Sequence, residues 1–127
     1  MKKIYLIEDE ESLRETLSMF LEEFGFEVFA YPSLSEFQEP DIDGDCRSAE
    51  ESVLFLLDHN LPGERGLDYI AKRLSDGRCQ CGGKCMAIMS GGLRAAEAER
   101  AEELGCYVFE KPVLFADLEE WLESLGN

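Results

Sequence analysis

Basic residues are scarce in this sequence. Its 127 residues include 12 Lys and Arg but 28 Asp and Glu, which gives a formal net charge of −16. A field of this sign repels phosphate backbones and anionic lipid surfaces. We therefore expect no direct binding to nucleic acid and no association with membranes, and most of the acidity serves solubility.

Long apolar runs are missing as well. No run approaches the roughly 20 residues that a membrane-spanning helix needs. The opening MKKIYLIEDEE reaches acidic residues too early to form the core of a signal peptide. The chain is therefore predicted to be cytoplasmic, and its length fits a single domain over residues 1–127.

Cysteine is limited to five residues, an odd number. In an acidic chain of this kind, that number favours a reducing compartment over a disulfide framework. Cys79, Cys81 and Cys85 stand in C-x-C-x3-C spacing, which offers three thiolates to zinc. No regular fourth ligand follows them, so an incidental loop with a buried Cys85 is the favoured interpretation.

The sequence does contain short apolar runs that alternate with helical periodicity. Five runs have the length of strands: KIYLI (3–7), FEVFAY (26–31), SVLFLL (52–57), CMAIMS (85–90) and CYVFE (106–110). A helix is predicted after each of them. The alternation predicts a doubly wound α/β fold, in which right-handed crossovers join parallel strands and helices cover both faces of the sheet.

Local signals predict where two of the helices begin and end. Ser12 and Glu15 have the spacing of a capping box at the start of the first helix, and Gly25 closes it. Ser33 opens a second helix that Pro40 stops early. The acidic residues 39–51 that follow are typical of an exposed loop.

Polar residues stand where the apolar strands end. Asp9 follows the first strand, Asp58 ends the third, Ser90 ends the fourth and Lys111 follows the fifth. Because the carboxyl ends of parallel strands share one edge of a sheet, these side chains are predicted to converge there. Glu8, Asp9 and Asp58 form an acid cluster that a hard cation such as Mg²⁺ relieves, and Lys111 adds a positive charge opposite it. An acid cluster, a metal and a lysine suit phosphoryl transfer to a carboxylate.

Four motifs give this edge a strong resemblance to the receiver domain of two-component response regulators. They are IEDE after the first strand, LLDHNLPGERG at the third, MSGG ending the fourth and EKP after the fifth. They occur in the right order and span nearly the whole chain. The chemotaxis member of this family has strand order 2-1-3-4-5, and the resemblance implies that order here.

The resemblance also implies roles for the acidic residues. Asp58 is the implied phosphoacceptor and receives its phosphoryl group from a kinase phosphohistidine. Mg²⁺ is implied to bind directly to Asp9 and Asp58. Glu8 is implied to act on the metal through water, and Asn60 through its backbone carbonyl.

The remaining roles concern the phosphoryl group and the response to it. Ser90 is implied to bond the phosphoryl oxygens and draw its loop inward, and Lys111 to pair with the phosphoryl group, with Pro112 setting the geometry of the preceding peptide. The fourth helix, fifth strand and fifth helix commonly form the face that changes in this family. Because the fourth helix here offers mainly Ala96 and Ala101 to the core, we expect it to be held less firmly than the first.

The implied function is that of a signalling domain and not of an enzyme. The expected partners are a sensor histidine kinase or a histidine phosphotransfer protein, and a downstream protein or a fused output domain. The alternative is an interaction module that keeps the fold without phosphorylation and binds through its acidic surface or cysteine loop. Retention of the acid cluster, Ser90 and Lys111 favours the first interpretation.

One position departs from the family pattern. Val108 stands three residues before Lys111, where the family usually has an aromatic residue that swings inward on activation. Either the loop is one residue shorter and the aromatic is displaced, or the switch is absent, or Tyr107 and Phe109 simply pack on a helix. His59, the only histidine, is expected to face a helix or solvent and to take no part in catalysis.

Overall fold

Five apolar segments pair into one parallel sheet in the computed structural model, which describes residues 3–36, 53–61, 63, 65–75 and 85–126. The strands are β1 (Lys3–Ile7), β2 (Glu27–Tyr31), β3 (Val53–Asp58), β4 (Met86–Ser90) and β5 (Tyr107–Glu110). They lie in the order β2-β1-β3-β4-β5, and every neighbouring pair is parallel. The predicted α/β class and strand order 2-1-3-4-5 are confirmed.

Four α-helices lie within the described residues. They are α1 (Glu11–Glu23), α2 (Gly66–Ser75), α3 (Ala95–Leu104) and α4 (Phe115–Gly126). These correspond to the first, third, fourth and fifth helices that the sequence predicts. Residues 33–36 of the predicted second helix form a bend and a turn. The rest of that helix, the acidic loop and most of the cysteine loop lie outside the described residues.

The helices pair across the two faces of the sheet. On one side α1 meets α4, where the rings of Phe20 and Phe115 stack with their centroids 4.6 Å apart. On the other side α2 meets α3, where Asp68 and Arg100 form an ion pair of 2.6 Å. No helix in the described ranges has both the length and the apolar character needed to cross a membrane.

The core lies along the central strands. Every residue of β3 and β4 is buried, whereas the edge strands β2 and β5 are partly exposed. This pattern follows from the apolar sequences of the central strands, because helices cover both of their faces. Each fully buried Leu or Ile stabilises the fold by roughly 1.5–3 kcal/mol, so the central strands form a firm base for the residues at their ends.

The predicted start of α1 is wrong, and its predicted end is confirmed. The helix begins at Glu11, and Ser12 lies inside its first turn, where its hydroxyl donates to Oε1 of Glu10 at 3.1 Å. The extended backbone of Glu10 forms the boundary instead. At the other end, Gly25 has a φ of 105° and its N–H donates to the carbonyl of Glu22 at 3.0 Å, which is typical of a glycine-terminated helix.

The apolar face of α3 is even smaller than the sequence predicts. Ala101 is buried and Leu104 is half-buried, but Ala96 is exposed. Ala96 and Ala101 are five positions apart, which is about 140° around a helix, so they cannot face the sheet together. The helix ends at Gly105, as predicted, with a φ of 76°.

Two cysteines lie within the described residues, and they differ. Cys85 is buried, as expected, but it is disulfide-bonded. The disulfide at Cys85 departs from the expectation of a reducing compartment without a disulfide framework, because an odd total still leaves room for a pair. Cys106 is a free, half-buried thiol, and burial raises its pKa to about 11, which keeps it protonated and unreactive near neutral pH.

Candidate functional site at the carboxyl edge of the sheet

Asp58 ends a fully buried strand, and two donors hold its carboxylate. The residue is 3% exposed. Its Oδ1 accepts the backbone N–H of Asn60 at 3.1 Å, and its Oδ2 accepts a hydrogen bond from Nζ of Lys111 at 3.1 Å. A buried carboxylate is stabilised only where such partners exist, and the strand end supplies two of them.

Glu8 lies deeper still, at the end of β1. It is 0% exposed, and its Oε2 accepts the backbone N–H of Glu10 at 3.0 Å. Its Oε1 lies 3.0 Å from Nζ of Lys111 but accepts no well-aligned hydrogen bond from any described residue. Burial raises the pKa of Glu8 to about 7, and the neighbouring carboxyls of Asp9 and Asp58 add to that rise.

The position of Glu8 is reinforced from α1. The guanidinium of Arg14 donates from Nη1 to the backbone carbonyl of Glu8 at 2.8 Å. No motif in the sequence predicts this contact. An arginine one turn into the helix after the IEDE motif is the only sequence signal for it, because the motif itself carries no partner for that carbonyl.

Three carboxylates meet at this edge. Each of Glu8, Asp9 and Asp58 places one oxygen within 4.8 Å of the others, and Asp9 is the exposed member of the set. Oxygen ligands in this arrangement suit a hard divalent cation, which keeps several waters on its open side. The poorly satisfied Oε1 of Glu8 also fits such a cation, because a metal or its water supplies the partner that this oxygen lacks.

Lys111 balances part of this negative charge. Its Nζ contacts both Glu8 and Asp58, and its backbone N–H donates to the carbonyl of Ser90 at 2.8 Å. Burial lowers the pKa of Lys111, but the contacts with Glu8 and Asp58 outweigh it and leave that pKa above its ordinary value. The peptide between Lys111 and Pro112 is cis.

Ser90 ends the neighbouring strand. The β3–β4 register places Asp58 opposite Met89, so Ser90 lies one residue further along the same edge. Ser90 is 2% exposed, and its Oγ accepts the backbone N–H of Gly92 at 3.1 Å. Among the described residues, nothing lies within 4 Å of a Cβ built on Gly91 or Gly92, which leaves open access to the site.

Close packing explains why the last residue of the LLDHNLPGERG motif, Gly66, is a glycine. A Cβ on Gly66 would stand 3.0 Å from the carbonyl oxygen of Asp58 and 3.2 Å from Cα of His59. The start of α2 therefore packs directly against the backbone at the end of β3. A side chain at this position would displace that strand end.

The strand interpretation of the two aromatic residues in β5 is confirmed. Phe109 packs edge-on against Trp121 of α4, with ring centroids 5.7 Å apart, and Tyr107 lies 6.3 Å from the same ring. Val108 points to the opposite face, because side chains alternate along a strand. There it lines a cavity of about 200 Å³ together with Ser90 and Glu110.

His59 faces a helix, as expected. It is 2% exposed, and its Nε2 lies 2.6 Å from Oε2 of Glu97 on α3. The hydrogen bond from His59 and another from the backbone N–H of Arg94 lower the pKa of Glu97. The sequence analysis missed Glu97, because these two residues are 38 positions apart and no motif links them.

The site residues named from the sequence therefore share one edge of the sheet. Glu8, Asp58 and Lys111 are in direct contact, Asp9 completes the acid cluster, and Ser90 is joined to Lys111 through the backbone. Asn60 contacts Asp58 through its N–H. This arrangement can hold a divalent cation and present a carboxylate beside a fixed positive charge.

Solved structures similar to this fold were found over nearly the whole chain. A CheY-like response regulator receiver domain protein from Methanospirillum hungatei has a TM-score of 0.74 at 22% identity, over 98% of this chain and 94% of that one. The chemotaxis protein CheY4 of Vibrio cholerae has a TM-score of 0.71 at 18% identity, over 98% of each chain. Full-length FixJ from B. japonicum has a TM-score of 0.71 at 25% identity, and this chain spans 56% of it.

Comparison at the level of sequence gave no relative. No protein-family model matches the chain, and no curated protein matches it. The likeness therefore lies in the three-dimensional arrangement: the order of the strands and the placement of the helices. The chain has the fold of the CheY-like receiver domains of response regulators.

Proposed function

We propose that this chain is a phosphoacceptor receiver domain of a two-component or phosphorelay system, and that Asp58 is the acceptor. The observation that carries the proposal is the contact of the buried Asp58 carboxylate with Lys111 inside a cluster of three carboxylates. A structural module gains nothing from a poorly compensated acid cluster. The alternative of a non-phosphorylated interaction module does not account for it.

The reaction is the transfer of one phosphoryl group. A carboxylate oxygen of Asp58 attacks the phosphorus of a phosphohistidine, the new O–P bond forms as the N–P bond breaks, and the histidine nitrogen keeps the electron pair of that bond and takes a proton. The donor is a sensor histidine kinase or a histidine phosphotransfer protein. The chain catalyses only its own phosphorylation and dephosphorylation, and in this sense it is not an enzyme.

Residues around Asp58 stabilise the transferred group. Lys111 supplies a positive charge that is already fixed at the site, which stabilises charge on the phosphoryl oxygens without reorganisation. The hydroxyl of Ser90 donates to one of those oxygens once it turns from Gly92. The exposed Gly91 and Gly92 leave the phosphorus open to attack from the solvent side.

Mg²⁺ is the proposed cofactor. Asp9 and Asp58 would hold it directly, Glu8 would hold it through a water molecule, and Asn60 would contribute its backbone carbonyl. When bound, the ion neutralises charge on the phosphoryl oxygens. The burial of the Glu8 carboxylate would then cost less, because a metal-bound water would give Oε1 a partner.

The proposed setting is cytoplasmic, and the proposed target is either a separate protein or a fused output domain. Full-length FixJ extends well beyond the part that this chain matches, which supports the second possibility for regulators of this fold. The charge of −16 opposes direct contact with nucleic acid by this domain.

The decisive experiment is phosphorylation by a small phosphodonor. The purified protein is treated with acetyl phosphate and Mg²⁺, and its intact mass is measured. We expect one acid-labile phosphoryl group in the wild type and in Asp68→Asn, which alters an exposed aspartate of α2. Asp58→Asn should gain none, and the same mass gain in that variant would show that the acceptor is misassigned.

A further inference from the structure

A buried histidine connects the acceptor strand to α3. His59 directly follows Asp58 and is 2% exposed. Its Nε2 meets Oε2 of Glu97 at 2.6 Å, while its Nδ1 has no hydrogen-bond partner among the described residues. The contact with Glu97 is therefore the polar interaction by which this side chain is held.

Glu97 is fixed from three directions. Besides the contact with His59, its Oε1 accepts the backbone N–H of Arg94 at 3.1 Å. The guanidinium of Arg65 lies 3.4 Å from its Oε2. Glu97 thus lies in the first turn of α3 with its side chain 23% exposed, and it ties the start of that helix to the residue beside the acceptor.

The opposite side of α3 is loosely packed. There the cavity of about 200 Å³ lies between the helix and β5, lined by Leu93, Ala98, Val108 and by Ser90 and Glu110 at the sheet edge. The helix therefore has a short polar link on its α2 side and open space on its β5 side. Because the cavity offers space, α3 can move toward it, and such a movement would lengthen the link to His59.

We propose that Glu97 is a positioning residue that acts through His59, restrains α3 in the position seen here and couples that helix to the phosphorylation of Asp58. The inference rests on the proposed function of Asp58. Ser90 and the two glycines after it lead from the site into α3. When Ser90 turns to the phosphoryl group, the start of α3 moves toward the cavity and the contact between His59 and Glu97 weakens.

Thermodynamic linkage predicts the effect of removing the contact between His59 and Glu97. If the contact favours the unphosphorylated position of α3, its loss shifts the population toward the position that phosphorylation favours. Because coupling between two sites is reciprocal, the same loss tightens binding of a phosphoryl mimic at Asp58. A contact that served only the stability of α3 would change helix dynamics but not the affinity for the mimic.

The test measures the dissociation constant of beryllofluoride in the presence of Mg²⁺ by titration calorimetry. Glu97→Gln keeps an oxygen for the N–H of Arg94 but removes the charge, and His59→Leu fills the same buried space without a ring nitrogen. Each should bind beryllofluoride several-fold tighter than the wild type. The double variant should bind no tighter than the better single variant, because both changes remove one interaction.

Glu99→Gln is the matched control, since it makes the same charge change on an exposed residue of α3. It should bind beryllofluoride within twofold of the wild type. Amide exchange of residues 95–104 without beryllofluoride should be several-fold faster in Glu97→Gln and in His59→Leu than in the control. Unchanged or weaker beryllofluoride binding in both variants, or an equal gain in Glu99→Gln, would overturn the inference.

The two proposals fail in different ways. If the wild type binds no beryllofluoride, the phosphoacceptor function is wrong and the coupling falls with it, although faster exchange in Glu97→Gln would still show that Glu97 restrains α3. If the wild type binds the mimic and the variants do not differ from it, only the role given to Glu97 is wrong.

Discussion

Nζ of Lys111 lies 3.0 Å from Oε1 of Glu8, and this one cation faces more negative charge than it can neutralise. The carboxylates of Glu8, Asp9 and Asp58 lie close together at this site, so the site carries a net negative charge when all three are ionised. Such an arrangement costs stability in the native state alone, because the unfolded chain separates these groups. The predictions below follow from that imbalance and from the loose packing of α3.

Mg²⁺ should raise the thermal stability of the protein. At a concentration ten times its dissociation constant, a ligand that binds only the native state stabilises it by about 1.4 kcal/mol. The midpoint of unfolding should therefore rise by a few degrees in millimolar Mg²⁺. Asp9→Asn should lose this response and should be at least as stable as the wild type without metal.

The control for the metal effect is Glu11→Gln, which alters an exposed carboxylate at the start of α1. This variant should respond to Mg²⁺ as the wild type does. A wild-type melting temperature that is indifferent to Mg²⁺ would contradict a working metal site.

The pH dependence of stability should show the burial of Glu8. Its pKa is about 7 in the folded protein against an ordinary 4.5, so the native state binds more protons than the unfolded state between these values. Stability therefore falls as pH rises from 4.5 to 7. A shift of this size corresponds to roughly 3 kcal/mol.

Glu8→Gln isolates this effect from the other carboxyls. The variant imitates the protonated side chain, so the two proteins should be similarly stable near pH 5 without metal. Near pH 8 the variant should be the more stable one in urea denaturation, and Mg²⁺ should reduce the difference. Parallel stability curves for the two proteins would mean that Glu8 does not titrate in this range.

The parts of this molecule that the sequence predicts are those set by one-dimensional patterns. The strands are apolar runs of fitting length, and parallel pairing alone brings Asp58, Ser90 and Lys111 to one edge. The contact between His59 and Glu97 has no such pattern, since it depends on how α3 packs beside α2. A helix placement of this kind follows from packing in three dimensions.

The errors at the helices have equally specific causes. Ser12 has the spacing of a capping residue, but the extended backbone of Glu10 already forms the boundary one residue before Glu11. Ala96 was assigned to the buried face by composition, although its angular separation from Ala101 excludes this. Small residues give a weak signal for the orientation of a helix, because exposure of a methyl group costs little.

Filling the cavity beside Ser90 should stabilise α3. Val108 lines that cavity of about 200 Å³, which has room for a larger apolar side chain. Val108→Phe should stabilise the fold by about 1 kcal/mol and slow amide exchange in residues 95–104. If amide exchange in Val108→Phe is as fast as in the wild type, or faster, the cavity is not available to this side chain.

Phosphorylation, or binding of beryllofluoride, should change amide exchange most between residues 90 and 111. The reason is the small apolar face of α3, where only Ala101 is fully buried, compared with Leu17 and Leu21 on α1. Regions with little buried apolar surface open at low cost. Ser90 joins this region to the site, so a pull on its hydroxyl reaches α3 directly.

Ser90→Ala tests that connection. The variant keeps Asp58 and the acid cluster, so it should still accept a phosphoryl group from acetyl phosphate, although it lacks the hydroxyl that is proposed to draw the loop inward. Its change in exchange at residues 90–111 on phosphorylation should be several-fold smaller than in the wild type. A wild-type response confined to α1 and the residues that follow it would contradict this route. A full response in Ser90→Ala would show that the signal reaches α3 without the hydroxyl.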